Sequence, residues 1–360
     1  MTSSSLTSKL LSAITTPHGP IRLQALMQRG PLPGMGQVTR IQQRSANVVE
    51  LSLSVGSDFQ GFQAGQYLQL GQQIDGRWVK RPFSPACTPF AGAGELHFAI
   101  RIQDQGLWTG QLQQGLDIGQ PIMVGQAAGD YVLPEIAGEI DHLVLVSGGT
   151  GLAPNLSLAA FAAAQGIARV SLLHYNRNEQ DIPGEPLLKQ LQENPAVRWQ
   201  PINTALKPST SKPWAGHFHR RHIQALSVAK ERQHIMVCGP ESLRTAVHKL
   251  GAHKTNPRSV QSESFGLALR STGTSSKTSA VEFSRSQVKA TARGQSLLEI
   301  AEANGLNPEF GCRMGICASC TCRKTQGQVR DLRDGSLSAH GEEEIRLCVS
   351  APVGDVQINL

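Results

Sequence analysis

GCRMGICASCTC, residues 311–322, packs four of the chain's seven cysteines into eleven consecutive positions. Cys312, Cys317 and Cys320 are separated by four and then two residues, and Cys348 follows after 27 more. That is the ligand spacing of a 2Fe–2S cluster. A structural zinc site normally pairs two short Cys-x-x-Cys or Cys/His knuckles, whereas here one loop offers three thiols and a distant segment the fourth. Gly311 and Gly315, with Ala318 and Ser319, suit a backbone that wraps closely round an inorganic core and aims its amides at sulfur. Iron binds only thiolate, so the metal itself keeps these ligands deprotonated. Cys322 is left over. Strand alternation after Cys320 turns it into the core, where free cysteine is common, with a reserve-ligand role as the other reading.

Working outward from the cysteines, residues 280–360 read as one domain. A hairpin and an amphipathic helix lie within VEFSRSQVKATARGQSLLEIAEANG, the cysteine segment follows, and DVQINL closes the domain as a strand. RSTGTSSKTSA, near residues 270–280, is polar and small and suits a linker. A chain of 360 residues exceeds what one core usually organises, so two or three domains are expected. Residues 37–135 give short alternating segments broken by glycine (VVELSLSV, GQYLQLG, GRWVKRPFS, ELHFAIRI, QPIMVGQ), the texture of an antiparallel barrel or sandwich. From residue 141 buried apolar strands alternate with helices, which signals a parallel sheet covered on both faces.

The formal charge of +7 raises a nucleic-acid reading. Residues 281–360 carry nine Lys+Arg against ten Asp+Glu, so the excess lies entirely in residues 1–280. Basic residues interleaved with aromatics are missing there, and a phosphate-bearing cofactor is the simpler account of the charge. There is no apolar run near the roughly 18 residues of a membrane span and no secretory pattern at the start. The expected location is the cytoplasm, and an odd cysteine count clustered in one segment fits a reducing compartment.

Residues 280–360 resemble a plant-type ferredoxin domain, a β-grasp fold, with a tail similar to that of bacterial multidomain reductases. A one-electron carrier joined to a two-electron donor needs an intermediary able to do both, and flavin is the usual one. RPFS, Arg81 to Ser84, ends a strand with an arginine for phosphate, Pro82, an aromatic to lie against a cofactor, and a hydroxyl able to reach the flavin N5 region. Phe98, Ala99, Ile100 and Arg101 form the next strand, and GLWT, Gly106 to Thr109, opens a short helix whose N-terminus suits a pyrophosphate. In this order the segments resemble the ferredoxin–NADP reductase superfamily. By that resemblance Arg81, Phe83 and Ser84 hold the flavin and Gly106 and Thr109 the FAD pyrophosphate, with FMN as the alternative flavin; Phe98, Ile100 and Arg101 of the next strand are also expected to bind the cofactor.

SGGTGLAP, Ser147 to Pro154, sits between a buried strand and a helix, so the backbone at Gly149, Thr150 and Gly151 can approach a pyrophosphate. VCGPESL repeats the strand–turn–helix arrangement and sets Cys238, Gly239 and Pro240 at the carboxyl edge of the sheet. The resemblance puts this turn beside the nicotinamide; plain burial of Cys238 is the other reading. Arg177, after the strand VSLLHY, could pair with a 2′-phosphate and tips the expectation to NADPH over NADH, although Glu179 and Asp181 follow closely. Phe265, in ESFGLAL, is a candidate to lie against the flavin.

The expected architecture is therefore an N-terminal extension (1–36), an antiparallel FAD-binding β-barrel (37–137), a parallel-sheet NAD(P)-binding domain (138–269), a linker (270–279) and a β-grasp ferredoxin domain (280–360). The resemblance implies a flavoprotein reductase that carries electrons from NADPH or NADH through FAD to a 2Fe–2S cluster. Ser84 and Cys238 are the expected catalytic residues, and Cys312, Cys317, Cys320 and Cys348 the cluster ligands. The expected acceptor is a redox partner protein, a non-haem iron oxygenase or a fatty-acid desaturase that is itself membrane-bound; the extension is a candidate docking segment for it or a disordered lead. The rival reading is a self-contained oxidoreductase acting on a small molecule.

Overall fold

The computed structural model describes residues 31–74, 77–102, 107–134, 139–209, 213–226, 232–251, 259–263, 278–310, 315, 318–333 and 335–360. The expectations placed on Gly106, Phe265, Cys312, Cys317, the residue 270–277 part of the linker and most of the N-terminal extension lie outside these residues.

The first sheet is antiparallel and six-stranded: β1 (Met35–Ser45), β2 (Val48–Val55), β3 (Tyr67–Ile74), β4 (Arg77–Phe83), β5 (Gly94–Arg101) and β6 (Pro121–Ala128), in the order β4-β3-β6-β1-β2-β5. A single bridge, Pro85 to Phe98, draws the β4 end onto β5 and curls the sheet toward a barrel. Alternate residues point inward, among them Leu51, Leu53, Leu68, Leu70, Leu96 and Ile122. Each such side chain contributes about 1.5–3 kcal/mol when fully removed from water. Trp108 and Leu112 of helix α1 (Leu107–Gln114) pack against the same core. β1 starts inside the segment expected to precede the barrel and has no counterpart among the strands read from the sequence.

The second sheet is parallel: β7 (His142–Gly148), β8 (Arg169–Asn176), β9 (Val197–Asn203), β10 (Gln233–Cys238) and β11 (Ser259–Glu263), in the order β11-β10-β7-β8-β9. Every residue of β7 is buried, as a central strand covered on both faces must be. Leu143 and Leu145 join one core and Val144 and Val146 the other. Helices α2 (Leu152–Ala164) and α3 (Glu185–Glu193) cover the first face; α4 (Arg220–Gln224) and α5 (Glu241–Gly251) supply Ile223, Leu243 and Val247 to the second. The first core continues into Ala64, Ala86, Ala99 and Tyr131 of the barrel module, so the two modules meet across apolar surface.

The C-terminal module has a mixed sheet built from β12 (Ser279–Phe283), β13 (Val288–Ala292), β14 (Thr321–Gln326), β16 (Glu343–Arg346) and β18 (Val356–Ile358), with β15 (Val329–Asp331) and β17 (Ser350–Pro352) forming a small second sheet. Helix α6 (Leu297–Ala303) starts at a reciprocal cap: the Ser296 hydroxyl accepts from the Glu299 amide, while Glu299 accepts from the Ser296 amide. Leu297, Leu298 and Ile300 bury its inner face. Among the described residues no helix is long and apolar enough to cross a membrane.

Candidate functional site

Strand register brings two of the four cysteines expected to ligate the cluster together. β14 and β16 are antiparallel with Thr321 opposite Arg346, and the Leu347 amide donates to the Cys320 carbonyl at 3.0 Å. Cys320, just before β14, and Cys348, just after β16, therefore face each other with sulfurs 3.2 Å apart. Both are free thiols, 3% and 4% exposed. The Gly315 amide points at the Cys348 sulfur from 3.3 Å. Gly315 has φ +70°, and a β-carbon there would meet the Val349 side chain at 2.7 Å, so only glycine fits without displacement. Paired buried sulfurs with an amide aimed at one of them suit an iron–sulfur centre. Cys322 is half-buried against the same core, as its place in the alternation predicts.

At the β4 end, Phe83 stands against Trp108 with ring centroids 4.9 Å apart. The Ser84 hydroxyl and the Trp108 indole nitrogen are buried without a hydrogen-bond partner among the described residues. An unmet buried polar group costs about 1–3 kcal/mol, so both atoms fit a site that a polar ligand completes. Thr109 is buried in the first turn of α1. Arg81 lies with its guanidinium carbon 5.6 Å from the ring centre of Phe310, the residue that leads into the cysteine loop. Phe98 and Ile100 face the barrel interior at 1% and 0% exposure, so their backbone, not their side chains, is what a ligand beside β5 would meet. The cause is the β5 alternation, which turns Leu96, Phe98 and Ile100 inward and sends Arg101 outward. Arg101 reaches the first glycine turn of the parallel sheet, where its guanidinium lies 3.6 Å from the point a Gly149 β-carbon would occupy.

The two glycine turns of the parallel sheet pack against each other at the carboxyl ends of β7 and β10, where the strand order reverses direction and ligands bind. Gly149 takes φ +57°, and a β-carbon on Gly151 would lie 2.3 Å from the Cys238 carbonyl oxygen. Helix α2 begins with no capping side chain and no acid in its first turn, which leaves its amides to an anion. A cleft of about 830 Å³ opens here, lined by Arg101, Gly148 to Gly151, Arg177, His217 and Gly239 to Leu243. Of the two acids after β8, Asp181 lines the cleft and Glu179 does not. Three family models match in chain order: an oxidoreductase FAD-binding domain over residues 35–132, an oxidoreductase NAD-binding domain over 145–249, and a 2Fe-2S iron-sulfur cluster binding domain over 281–353. The chain is a three-module oxidoreductase.

The oxidoreductase is 27% identical over 331 residues to an NADPH oxidoreductase of Mycobacterium tuberculosis, covering 90% of this chain and 84% of that protein. It is 26% identical to a glycine betaine monooxygenase reductase subunit of Pseudomonas aeruginosa, over 83% of this chain and 87% of the relative. Among solved structures, phthalate dioxygenase reductase superposes with a TM-score of 0.63 at 20% identity, covering 92% of this chain and 99% of that one, and so shares the fold.

Sequence reading missed a buried polar group beside Cys238. Parallel pairing sets Cys238 opposite Ser147 on one side and Glu263 on the other. Burial, with Glu263 adding to it, pushes the Cys238 thiol well above its ordinary range, so it stays protonated. Burial, and secondarily Asp130, pushes the Glu263 carboxyl up to about 8, and its Oε2 has no hydrogen-bond partner among the described residues. The Tyr131 hydroxyl donates to Asn155 Oδ1 at 2.8 Å, and Asn155 Nδ2 donates to the Val146 carbonyl at 3.0 Å. The one signal available in the sequence was an acid at a strand end within ESF. Its partner on β10 is set by register, which local patterning does not carry.

Proposed function

We propose that this oxidoreductase takes a hydride from NAD(P)H and delivers electrons singly to a partner oxygenase. The bound groups supply the electron chemistry: flavin accepts paired electrons and a 2Fe–2S cluster releases them one at a time. The chain's own residues bind, orient and exclude water. In this reading Arg81 and Thr109 hold the FAD phosphates, Phe83 and the Pro82 backbone lie along the flavin, and Ser84 donates toward N5. Gly149, Thr150 and Gly151 receive the dinucleotide pyrophosphate, and Gly239 and Pro240 shape the nicotinamide side next to Cys238. Arg177 in the cleft favours NADPH, and Phe265 closes the flavin face. Cys312, Cys317, Cys320 and Cys348 ligate the cluster, and the Arg81–Phe310 contact supports a direct approach of cluster loop to flavin.

The single observation that carries the reading is the order of modules with Phe310 set against Arg81. Reductase components of glycine betaine monooxygenase and of 3-ketosteroid-9-alpha-monooxygenase among the relatives support an oxygenase as acceptor. A fatty-acid desaturase at the membrane is the narrower form of the same proposal. The holoprotein should bleach its flavin and then its cluster when NADPH is added without oxygen, and should reduce cytochrome c. Turnover that instead follows a small quinone or nitrogen oxide at physiological concentration, with no transfer to any iron protein, would replace this reading by a self-contained oxidoreductase.

A further inference from the structure

Two guanidinium groups converge on one carbonyl of the cluster loop. Arg333 Nη1 donates to the Gly315 oxygen at 2.9 Å, and Arg346 Nη1 donates to the same oxygen. A carbonyl has two lone pairs, and both are engaged by cations here. The other side of Gly315 is its amide, which points at the Cys348 sulfur. The two arginines differ in their surroundings. Arg333 is held by Asp331 through a forked pair, Nε to Oδ1 at 3.0 Å and Nη2 to Oδ2 at 2.6 Å. Arg346 is half-buried and has no acid partner among the described residues. The charges of Asp331 and Arg333 offset each other, so among the described residues Arg346 is the positive charge of this corner without an acid counterpart, two residues before Cys348 in the chain.

We infer that Arg346 and the Arg333–Asp331 pair are positioning residues that set how readily the iron–sulfur centre accepts its electron. The inference rests on the reading of Cys320 and Cys348 as cluster ligands. Reduction of a 2Fe–2S centre adds one negative charge, supplied as a single electron from the flavin or, in a titration, from a chemical reductant. A nearby cation favours the reduced form, and partial burial weakens the solvent screening that would mute it. Removing the Arg346 charge therefore makes reduction harder, and removing the Asp331 charge makes it easier. The two changes act in opposite directions although both loosen the same hydrogen-bonded corner.

The test is potentiometric titration of the full-length holoprotein, following cluster absorbance and the electron paramagnetic resonance signal of the reduced centre. Arg346→Gln should shift the cluster midpoint to more negative potential, Arg346→Lys should restore most of it, and Asp331→Asn should shift it to more positive potential. The flavin midpoint should stay in place in all three. Shifts of the same sign in Arg346→Gln and Asp331→Asn, or none in either, overturn the inference and leave Gly315 pinned for purely structural reasons. Should Arg346→Gln assemble no cluster, the sign of the Asp331→Asn shift decides. Cys320→Ser separates the underlying reading: a cluster of unchanged spectrum in that variant would show that the ligand assignment, not the arginine inference, is at fault.

Discussion

Gly151→Ala isolates the contact between the two nucleotide-site turns. Gly151 has φ −61° and ψ −5°, which alanine adopts freely, so any effect is steric. The added β-carbon would lie 2.3 Å from the Cys238 carbonyl oxygen and 2.7 Å from its carbon. That is about 1 Å inside ordinary contact distance. The obstacle is backbone at the buried end of β10, so relief requires the β7–α2 turn or the Cys238–Gly239 turn to move by about that amount. A displacement of about 1 Å at a reacting site costs on the order of 100-fold in rate, equivalent to about 2.7 kcal/mol of barrier. Overpacking also lowers stability by about 1–3 kcal/mol. The assay is the anaerobic stopped-flow rate of flavin bleaching by NADPH, with flavin and cluster content measured on the same sample. The expected result is slow bleaching in a protein that keeps both chromophores. Wild-type bleaching at wild-type NADPH concentration dependence would refute the placement of the nicotinamide at the junction of these turns.

Four further substitutions probe the remaining modules. Cys320→Ser should abolish the cluster absorbance while bound flavin and ferricyanide reduction by NADPH persist, as absorbance spectra and steady-state rates would record. Arg177→Ala should raise the KM for NADPH at least about tenfold and leave that for NADH nearly unchanged, given that a charge-assisted phosphate contact contributes about 1.5–3 kcal/mol; equal effects on both would remove the 2′-phosphate assignment. Glu263→Gln tests the buried carboxyl by denaturant unfolding between pH 5 and 8. Its carboxyl is raised from 4.5 to about 8 in the folded protein, so it contributes fully below pH 4.5 and destabilises increasingly as pH rises toward 8. The cost reaches at most about 3 kcal/mol at pH 7, and the variant should lose that pH slope. Phe310→Ala should slow cluster reduction by the flavin at least about tenfold in stopped-flow traces while the NADPH-to-flavin step keeps its rate; cluster reduction at the wild-type rate would separate the Arg81 contact from electron transfer.

Local chemistry carried much of this organisation into the sequence. The Gly149–Gly151 turn and the Cys238–Gly239–Pro240 turn depend on short-range residue choice, and each directly follows the strand that the sequence places before it. The parallel sheet was legible because β7 carries the unbroken apolar run Leu143–Val146, as a strand covered on both faces does. β1 was not, because GQVTRIQQRS shows water mostly polar side chains and commits only Gly36 and Val38 to full or near-full enclosure, so its pairing with β2 is what defines it. Phe98, Ile100 and Arg101 were read correctly as strand and assigned one ligand together, although a period of two sends the first two and the third to opposite faces. Glu263 and the arginines at Gly315 depend on cross-strand register and loop return, which no local window contains.

Arg81 links the flavin and cluster modules through two different parts of one side chain. A guanidinium presents its N–H edge to anions and its flat face to aromatic rings, and the two uses do not compete. Here the face is turned to Phe310, and one edge nitrogen, Nη1, donates to the Lys80 carbonyl at 2.8 Å. A cofactor phosphate would meet the N–H edge, not the face turned to Phe310. Phe310 directly precedes the loop that carries Gly315, whose amide meets Cys348 and whose carbonyl meets Arg333 and Arg346. The Arg81–Phe310 contact therefore joins the flavin motif of the first module to the residue that precedes the cysteine segment of the third.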